Sequence, residues 1–368
     1  MRQGKIALTS CKTGITKARN ENASKKGEPV KGQVKQLQSG RPKMADVARM
    51  AGVSVTTVSR FYNEPDAVSE KIRARIAEAA QALSYVPNVM AGSLAATRSK
   101  MVAVVVPTLN NSVFALMLEE MSSVLNRRGY QVMLASNDYS IEREEELVKS
   151  LLSWSPAGIV LVGRHHSRGT LKVLLEDGLP VVEVGEYLDG AIDSNIGFSH
   201  RDVGRRVARH FANLGVSRLG LVLVALPGDR RAADRGAGFR DIAREDGLHL
   251  EEFTAPERAS SKVGATAFGE LMSRADAPQA IFFSNDMLCL GALFEAGRLG
   301  IRVPDDVRLC GYGDFDFATT TSPSLSSVRP PDREIGRRAG ELLLERFRGE
   351  GAPVSIDLGF EHIVRASG

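Results

Sequence analysis

From residue 101 onward, short apolar runs alternate with amphipathic stretches at helical spacing. Val102-Ala103-Val104-Val105-Val106 is an unbroken apolar run, the pattern of a parallel strand buried on both faces. Val113 to Asn126 then reads as a helix, Gln131 to Ala135 as a strand, and Glu142 to Leu152 as a charged amphipathic helix. Gly158 to Val162 and Val181 to Val184 repeat the apolar run. A second series begins after Gly197, with a helix from Asp202 to Leu214 and a strand from Leu219 to Val224. It continues with helix 229–245, strand Ala280 to Ser284, helix 286–298 and a strand from Val307 to Cys310. Strands alternating with helices predict parallel sheets joined by right-handed crossovers. Two such series predict two lobes, with ligands at the carboxyl ends of strands in the crevice between them.

Upstream the pattern is purely helical. Val47, Ala48 and Ala51 give one apolar face, and Gly52 stands where the chain must reverse, since glycine tolerates a positive φ. Ser54 is placed to cap a second helix running to about Tyr62. Val58 and Phe61 face the core in that helix, leaving Val55, Thr56, Ser59 and Arg60 outside. Short polar side chains at the start of a helix, followed by an arginine, suit entry into the major groove of DNA. The plainer alternative is a helical hairpin with a solvated outer face. Ser69 is placed to cap a third helix, with Ile72, Ile76, Ala79, Ala80 and Leu83 at helical spacing. Tyr85-Val86-Pro87-Asn88 ends it, because the residue before proline is steered away from helix. Val89 to Thr97 is helix-compatible but too short to fold alone.

Composition sharpens this picture in two places. The net charge of +4 over 368 residues is unevenly spread. Residues 1–43 carry eleven Lys and Arg against two acidic residues, so the rest of the chain is acidic by five charges. This leader is rich in Lys, Gly, Ser and Gln with little apolar periodicity, a disordered composition. It reads equally well as a functional arm, with Arg41 on phosphates or in a minor groove, or as an over-long start. It lacks the continuous apolar core of a secretion signal, and no run in the chain reaches the length of a membrane span. The three cysteines, Cys11, Cys289 and Cys310, lie far apart without metal spacing, which fits a reducing cytoplasm. No nucleophile elbow, phosphate loop or metal motif is present, so neither a cofactor nor a catalytic residue is expected.

Asp46-Val47-Ala48, Ala51-Gly52-Val53-Ser54, Thr57-Val58-Ser59-Arg60, Tyr85-Val86-Pro87-Asn88 and Leu94-Ala95 together resemble the signature of the lactose/galactose repressor family. The resemblance covers about residues 41–368. It implies a hinge helix that folds on operator DNA, with Leu94 as the leucine that wedges into the minor groove. Ser54, Val55, Thr56, Ser59, Arg60, Asn63, Asn88, Ala91, Leu94 and Arg41 are the DNA-binding candidates on this reading. It also implies a body like that of periplasmic sugar-binding proteins. Within it, Asn111 and Phe114 would face the effector after the first strand, and Asn285 after a later one. Arg235, in Asp234-Arg235-Gly236-Ala237-Gly238-Phe239, matches the arginine that anchors the effector in relatives. Its neighbours Arg230 and Arg231 are expected to be solvated, and Asp286 to cap a helix. Asp314 falls in a strand-end region where Gly313 departs from the family's acidic residue. Arg164, His165 and His166 follow a strand, and Arg164 and His166 are expected to join Arg235 in a cationic cleft. Ala255 to Ser261 lacks the stacking aromatic of some relatives, which favours an open-chain ligand. Val104 to Phe114, Leu151-Leu152-Ser153-Trp154, Pro180-Val181-Val182-Glu183 and Asp357-Leu358-Gly359-Phe360 resemble the gluconate-operon repressor branch.

The expected organisation is a small all-α helix-turn-helix headpiece plus an α/β two-lobed body with parallel sheets. A leader of 1–40 precedes the headpiece at 41–87 and a hinge at 88–99. Residues 100–198 and 328–350 form the first lobe, and 199–327 with 351–368 the second. The expected function is that of a cytoplasmic homodimeric repressor, nucleoid-associated when bound to a pseudo-palindromic operator and released by a sugar acid such as gluconate. Corepression or activation within the same family is an alternative. A sugar-binding receptor or enzyme without DNA function is the alternative of a different class. No leucine heptad follows the last strand, so a dimer is expected in preference to a tetramer.

Overall fold

The computed structural model describes residues 41–87, 98–109, 112–187 and 190–368. Asn88, Ala91, Leu94 and Asn111 therefore lie outside the described residues. The chain divides into two units, with the division between Pro87 and Asn88.

The first unit contains α1 (Met44–Ala51), α2 (Val55–Asn63) and α3 (Glu70–Ala82), with a 3-10 turn at Pro65–Ala67. Val47, Ala48, Ala51, Val58, Ile76, Ala79 and Ala80 are buried together, with Phe61 and Ile72 packed against them. Gly52 closes α1 at φ 62°, in the left-handed region. A Cβ there would meet Nη2 of Arg75 at 2.7 Å, a group that donates to the carbonyl of Ala51 at 2.5 Å. The turn therefore needs glycine both for its backbone angle and for the arginine that satisfies the helix end. Ser54 caps α2 by accepting the Thr57 amide at 3.1 Å. Ser69 occupies the equivalent place before α3, but its side chain makes no cap bond.

The second unit holds two six-stranded sheets. In the first lobe β1 (Met101–Val106), α4 (Ser112–Asn126), β2 (Gln131–Ser136), α5 (Ile141–Leu152) and β3 (Gly158–Val162) follow one another. They continue with α6 (Arg168–Asp177), β4 (Val181–Val184) and β5 (Ser194–Gly197). In the second lobe come α7 (His200–Asn213), β6 (Arg218–Val224), α8 (Arg230–Glu245), β7 (His249–Ala255) and α9 (Ser261–Met272). After them lie β8 (Ala280–Phe283), α10 (Asp286–Leu299), β9 (Arg308–Tyr312) and β10 (Ser326–Arg329). The chain returns through α11 (Asp332–Phe347) and β11 (Ser355–Asp357), and ends with β12 (Glu361–Ile363). The orders are β11-β5-β4-β3-β1-β2 and β12-β10-β9-β8-β6-β7. Every pairing is parallel except β10 with β12. Both sheets thus reverse direction of growth beside their first strand, at β1/β3 and β6/β8. Those switch points are where doubly wound sheets open a crevice for ligands.

The lobe boundaries differ from the sequence-based expectation. Ser355, Ile356 and Asp357 pair with Asn195, Ile196 and Gly197, so β11 extends the first sheet even though 351–368 was expected in the second lobe. Ile356 packs on the main core cluster, which rewards the extra strand. At the other crossing, Val328 and Arg329 belong to β10 and the second sheet, so the return begins after Arg329 and not at 328.

Helices α7 and α8 approach closely enough that a Cβ on Gly204 would sit 1.8 Å from the carbonyl oxygen of Arg235. Reciprocally, a Cβ on Gly238 would sit 1.8 Å from the carbonyl oxygen of Arg201. Two glycines let the helix backbones touch, and Arg201–Asp241 and Arg209–Asp246 ion pairs flank the crossing. The consequence is functional: α7 begins with His200 and α8 carries Arg235, and the crossing brings the two together.

Candidate functional site

On the headpiece, Ser54, Val55, Thr56 and Arg60 are exposed, Ser59 is half-buried, and Val58 beneath them is fully buried. Val55 is an apolar side chain 47% exposed at the start of α2. A helix that keeps an apolar and a cationic group in water beside short hydroxyls offers contacts for base edges and thymine methyls. Arg41 is exposed just before α1, and Asn63 is the last residue of α2.

In the body, a cavity of about 550 Å³ opens at the carboxyl ends of the central strands. Thr108 and Tyr139 line it from the first lobe, and Arg235, Arg258, Asn285 and Tyr312 from the second. An inner recess of about 50 Å³ shares Tyr139, Arg235 and Tyr312 with it and is walled by Phe114, His200 and Asp332.

Arg235 is the centre of this arrangement. It is only 5% exposed. Nη1 donates to Nδ1 of His200 at 3.0 Å and Nη2 to the carbonyl of Ser284 at 3.0 Å. The guanidinium lies 3.8 Å over the ring of Tyr312, and its buried Nε has no hydrogen-bond partner among the described residues. Burial and the neighbouring Arg235 push the pKa of His200 well below the usual histidine value. The ring is therefore neutral. Its Nε2 donates to the Gly185 carbonyl at 3.0 Å, which leaves Nδ1 as the acceptor that Arg235 needs. Among the described residues no carboxylate pairs with Arg235. Its charge is held by neutral acceptors and an aromatic face, and it remains open to an anion.

The other sequence candidates divide. Phe114 is 7% exposed and lines the inner recess, with Arg231 5.8 Å over its ring. That arginine was expected in solvent, but its side chain is only 12% exposed, with Glu186 at 3.8 Å and Asp229 at 3.9 Å. Arg230 is exposed, as expected. Asn285 lines the main cavity, and its Oδ1 accepts the Met287 amide at 2.8 Å. It is therefore Asn285 that caps α10, where the sequence pointed to Asp286. Asp286 is fully buried and accepts from the Phe315 amide and the Ser327 hydroxyl. Burial pushes its carboxyl up to about 7.

Three expected contacts, Asp314, His166 and Arg164, line neither the cavity nor the inner recess that Arg235 borders. Asp314 is held between Arg329 and Arg365, each at 2.6 Å, while its neighbours Tyr312 and Phe315 line the cavity instead. His166 turns inward, with its ring 1% exposed and Nδ1 2.6 Å from Glu144. Nε2 stands 3.3 Å from Glu183, within ion-pair reach but off the line of a hydrogen bond. Arg164 and His165 face a separate small recess, with Arg230 and Arg231 opposite and without Arg235. His166 thus anchors the loop that presents them. His200, Tyr139 and Asp332 were missed. His200 and Asp332 sit in the first turns of helices and Tyr139 in a turn at φ 61°, and only the sheet order brings them to the cleft.

The lips of the cavity touch. Arg258 pairs with Asp138, and a Cβ on Gly228 would meet the carbonyl oxygen of Tyr139 at 1.7 Å. Among the described residues no helix is long and apolar enough to cross a membrane, and no cluster of His, Cys, Asp and Glu is arranged to hold a metal ion.

A helix-turn-helix unit in one chain with a two-lobed ligand-binding body defines a class, that of DNA-binding regulators controlled by a small molecule. Comparison with known proteins narrows it. Residues 43–88 match the bacterial regulatory proteins, lacI family, and residues 208–367 match the periplasmic binding protein-like domain. The HTH-type transcriptional regulator GntR of Pseudomonas aeruginosa is 35% identical over 332 residues, 89% of this chain and 96% of that protein. GntR of Escherichia coli K12 is 35% identical over 335 residues, 88% of this chain and 98% of that one. A LacI-family regulator from Silicibacter pomeroyi superposes with a TM-score of 0.83 at 31% identity, covering 89% of this chain and 99% of that chain. The chain belongs to the LacI family of transcriptional regulators, a non-enzymatic family that binds operator DNA and a small-molecule effector.

Proposed function

We propose that this regulator is a homodimeric repressor of a carbohydrate operon, released from its operator by gluconate or a closely related sugar acid. The observation that carries the reading is Arg235, a buried guanidinium without a carboxylate partner among the described residues, facing a cavity of about 550 Å³. A buried charge is costly unless it is paired, and a ligand carboxylate offers the bidentate match a guanidinium prefers. The cavity is of small-molecule size. The 35% likeness to two GntR regulators supports the same ligand class.

A ligand reaching both lobes favours one degree of closure over another, and it must prefer the low-affinity state by several kcal/mol to release DNA strongly. For a two-fold partner the body offers Phe294 on α10, 65% exposed, and Leu116 on α4, 36% exposed. Two headpieces related by that axis would read a pseudo-palindrome in the bacterial cytoplasm, at the nucleoid. The test is fluorescence anisotropy of the full-length protein on operator DNA selected from a random pool, titrated with gluconate, glucuronate and glucose. Release by gluconate with no response to glucose is expected. Tightened binding, or equal release by the neutral sugar, would refute the proposal.

A further inference from the structure

The inner recess holds a buried carboxyl close to the arginine of the main cavity. Asp332, in the first turn of α11, is 8% exposed and lines that recess. It makes no hydrogen bond or ion pair among the described residues. Arg235 stands at the junction, because it lines both the outer cavity and the recess, whereas Asp332 lines only the recess. At about 50 Å³ the recess has room for about three water-sized groups. That suits the end of a polyhydroxy chain and is tight for a tetrahedral phosphate.

We propose that Asp332 reads the terminal hydroxyl of an open-chain sugar acid whose carboxylate is held by Arg235, and that it excludes acids phosphorylated at that end. The proposal rests on the sugar-acid reading and deepens it. Burial raises the Asp332 carboxyl well above its ordinary range, which favours the protonated form, and a protonated carboxyl both donates and accepts, as a hydroxyl does. A second anion brought there would meet the carboxyls of Asp332 and Asp229, and the other arginine of the recess, Arg231, already stands 3.8 Å from Glu186 and 3.9 Å from Asp229. Because Asp332 bonds to none of the described residues, truncating it orphans no partner among them.

Isothermal titration of the full-length protein with D-gluconate, its 6-deoxy analogue and 6-phosphogluconate tests this. The parent protein should lose at least tenfold in affinity when the terminal hydroxyl is removed, and at least tenfold when it is phosphorylated. In Asp332→Ala, gluconate should bind at least tenfold more weakly and the deoxy analogue within twofold of gluconate. Asp332→Asn, which keeps the shape and both hydrogen-bonding capacities, should restore sensitivity to the hydroxyl. Gluconate binding that is indifferent to the terminal hydroxyl in the parent, or a hydroxyl sensitivity unchanged in Asp332→Ala, overturns the proposal and leaves the sugar-acid reading standing. Failure of the parent to bind any of the three acids overturns both.

Discussion

Replacing His166 by glutamine should destabilise the body at pH 6 and do progressively less as the pH rises towards 10. The ring is fully enclosed between Glu144 of α5 and Glu183 of β4. Burial alone would pull its pKa down, but the bond to Glu144 and the proximity of Glu183 outweigh it and hold the ring at about 9. The two carboxylates have other bonds as well. Glu144 accepts from Asn137 at 3.3 Å and Glu183 from the Ile192 amide at 2.6 Å. A histidine whose pKa rises from 6.5 unfolded to about 9 folded stabilises the native state through its proton. That contribution is fully present below pH 6.5, declines between 6.5 and 9, and is gone above 9. At about 1.4 kcal/mol for each tenfold, it amounts to about 3 kcal/mol. For a unit of this size that corresponds to a melting shift of about 6–10 °C. The assay is thermal unfolding of the parent and His166→Gln at pH 6, 7, 8, 9 and 10, followed by circular dichroism. The gap between the two should be widest at pH 6 and close near pH 9–10. A gap that is constant across this range would show that the ring acts by packing alone and would refute the reasoning.

Two further outcomes follow from other parts of the molecule. Arg60→Ala removes an exposed cation from the outer face of α2 and should cost about 1–3 kcal/mol of specific operator binding. Anisotropy on selected and scrambled duplexes checks this, and an equal loss on both would reduce Arg60 to a phosphate contact. Gly228→Ala places a methyl group 1.7 Å from the Tyr139 carbonyl oxygen, so the lips of the cleft must part. Effector affinity, measured by titration calorimetry, should fall at least tenfold with little change in melting temperature, and an unchanged affinity would refute the tight contact.

The headpiece could be read from sequence nearly residue by residue because its structure is made of local rules. Ser54 caps the helix it precedes, Gly52 takes the positive φ of the turn, and the buried face follows helical spacing. The central strands were equally open to reading, since a strand buried on both faces must be apolar throughout. Short edge strands were not. Ser355, Ile356 and Asp357 carry one half-buried apolar residue between two exposed polar ones, and only their pairing with β5 identifies them as a strand of the first lobe. The cleft was read in part, because a strand-end position says that a loop lies near the crevice but not which way each side chain turns. Within the consecutive pair His165 and His166, one faces a recess and the other the interior. The choice is made by Glu144 and Glu183, 22 and 17 positions away in the chain.

The cleft leaves two buried groups without a partner in each other. A buried arginine and a buried aspartate are the two groups a fold most readily neutralises against each other. Here both border one recess, yet they form no ion pair among the described residues. Tyr312 feels both, with burial the main cause of its raised pKa, Arg235 opposing it and Asp332 adding to it. Its ring supports the guanidinium at 3.8 Å, so the arginine is held by a neighbour that is not a carboxylate. Elsewhere the same chain pairs its charges freely, as the Arg201–Asp241 and Arg209–Asp246 bridges between α7 and α8 show. A fold that forms such bridges elsewhere, and leaves these two groups unpaired with each other beside its ligand crevice, holds a buried cation whose desolvation no carboxylate among the described residues offsets. Such local departures from consistency are the mark of a binding site. A molecule with a carboxylate at one end and a hydroxyl at the other would satisfy both groups at once.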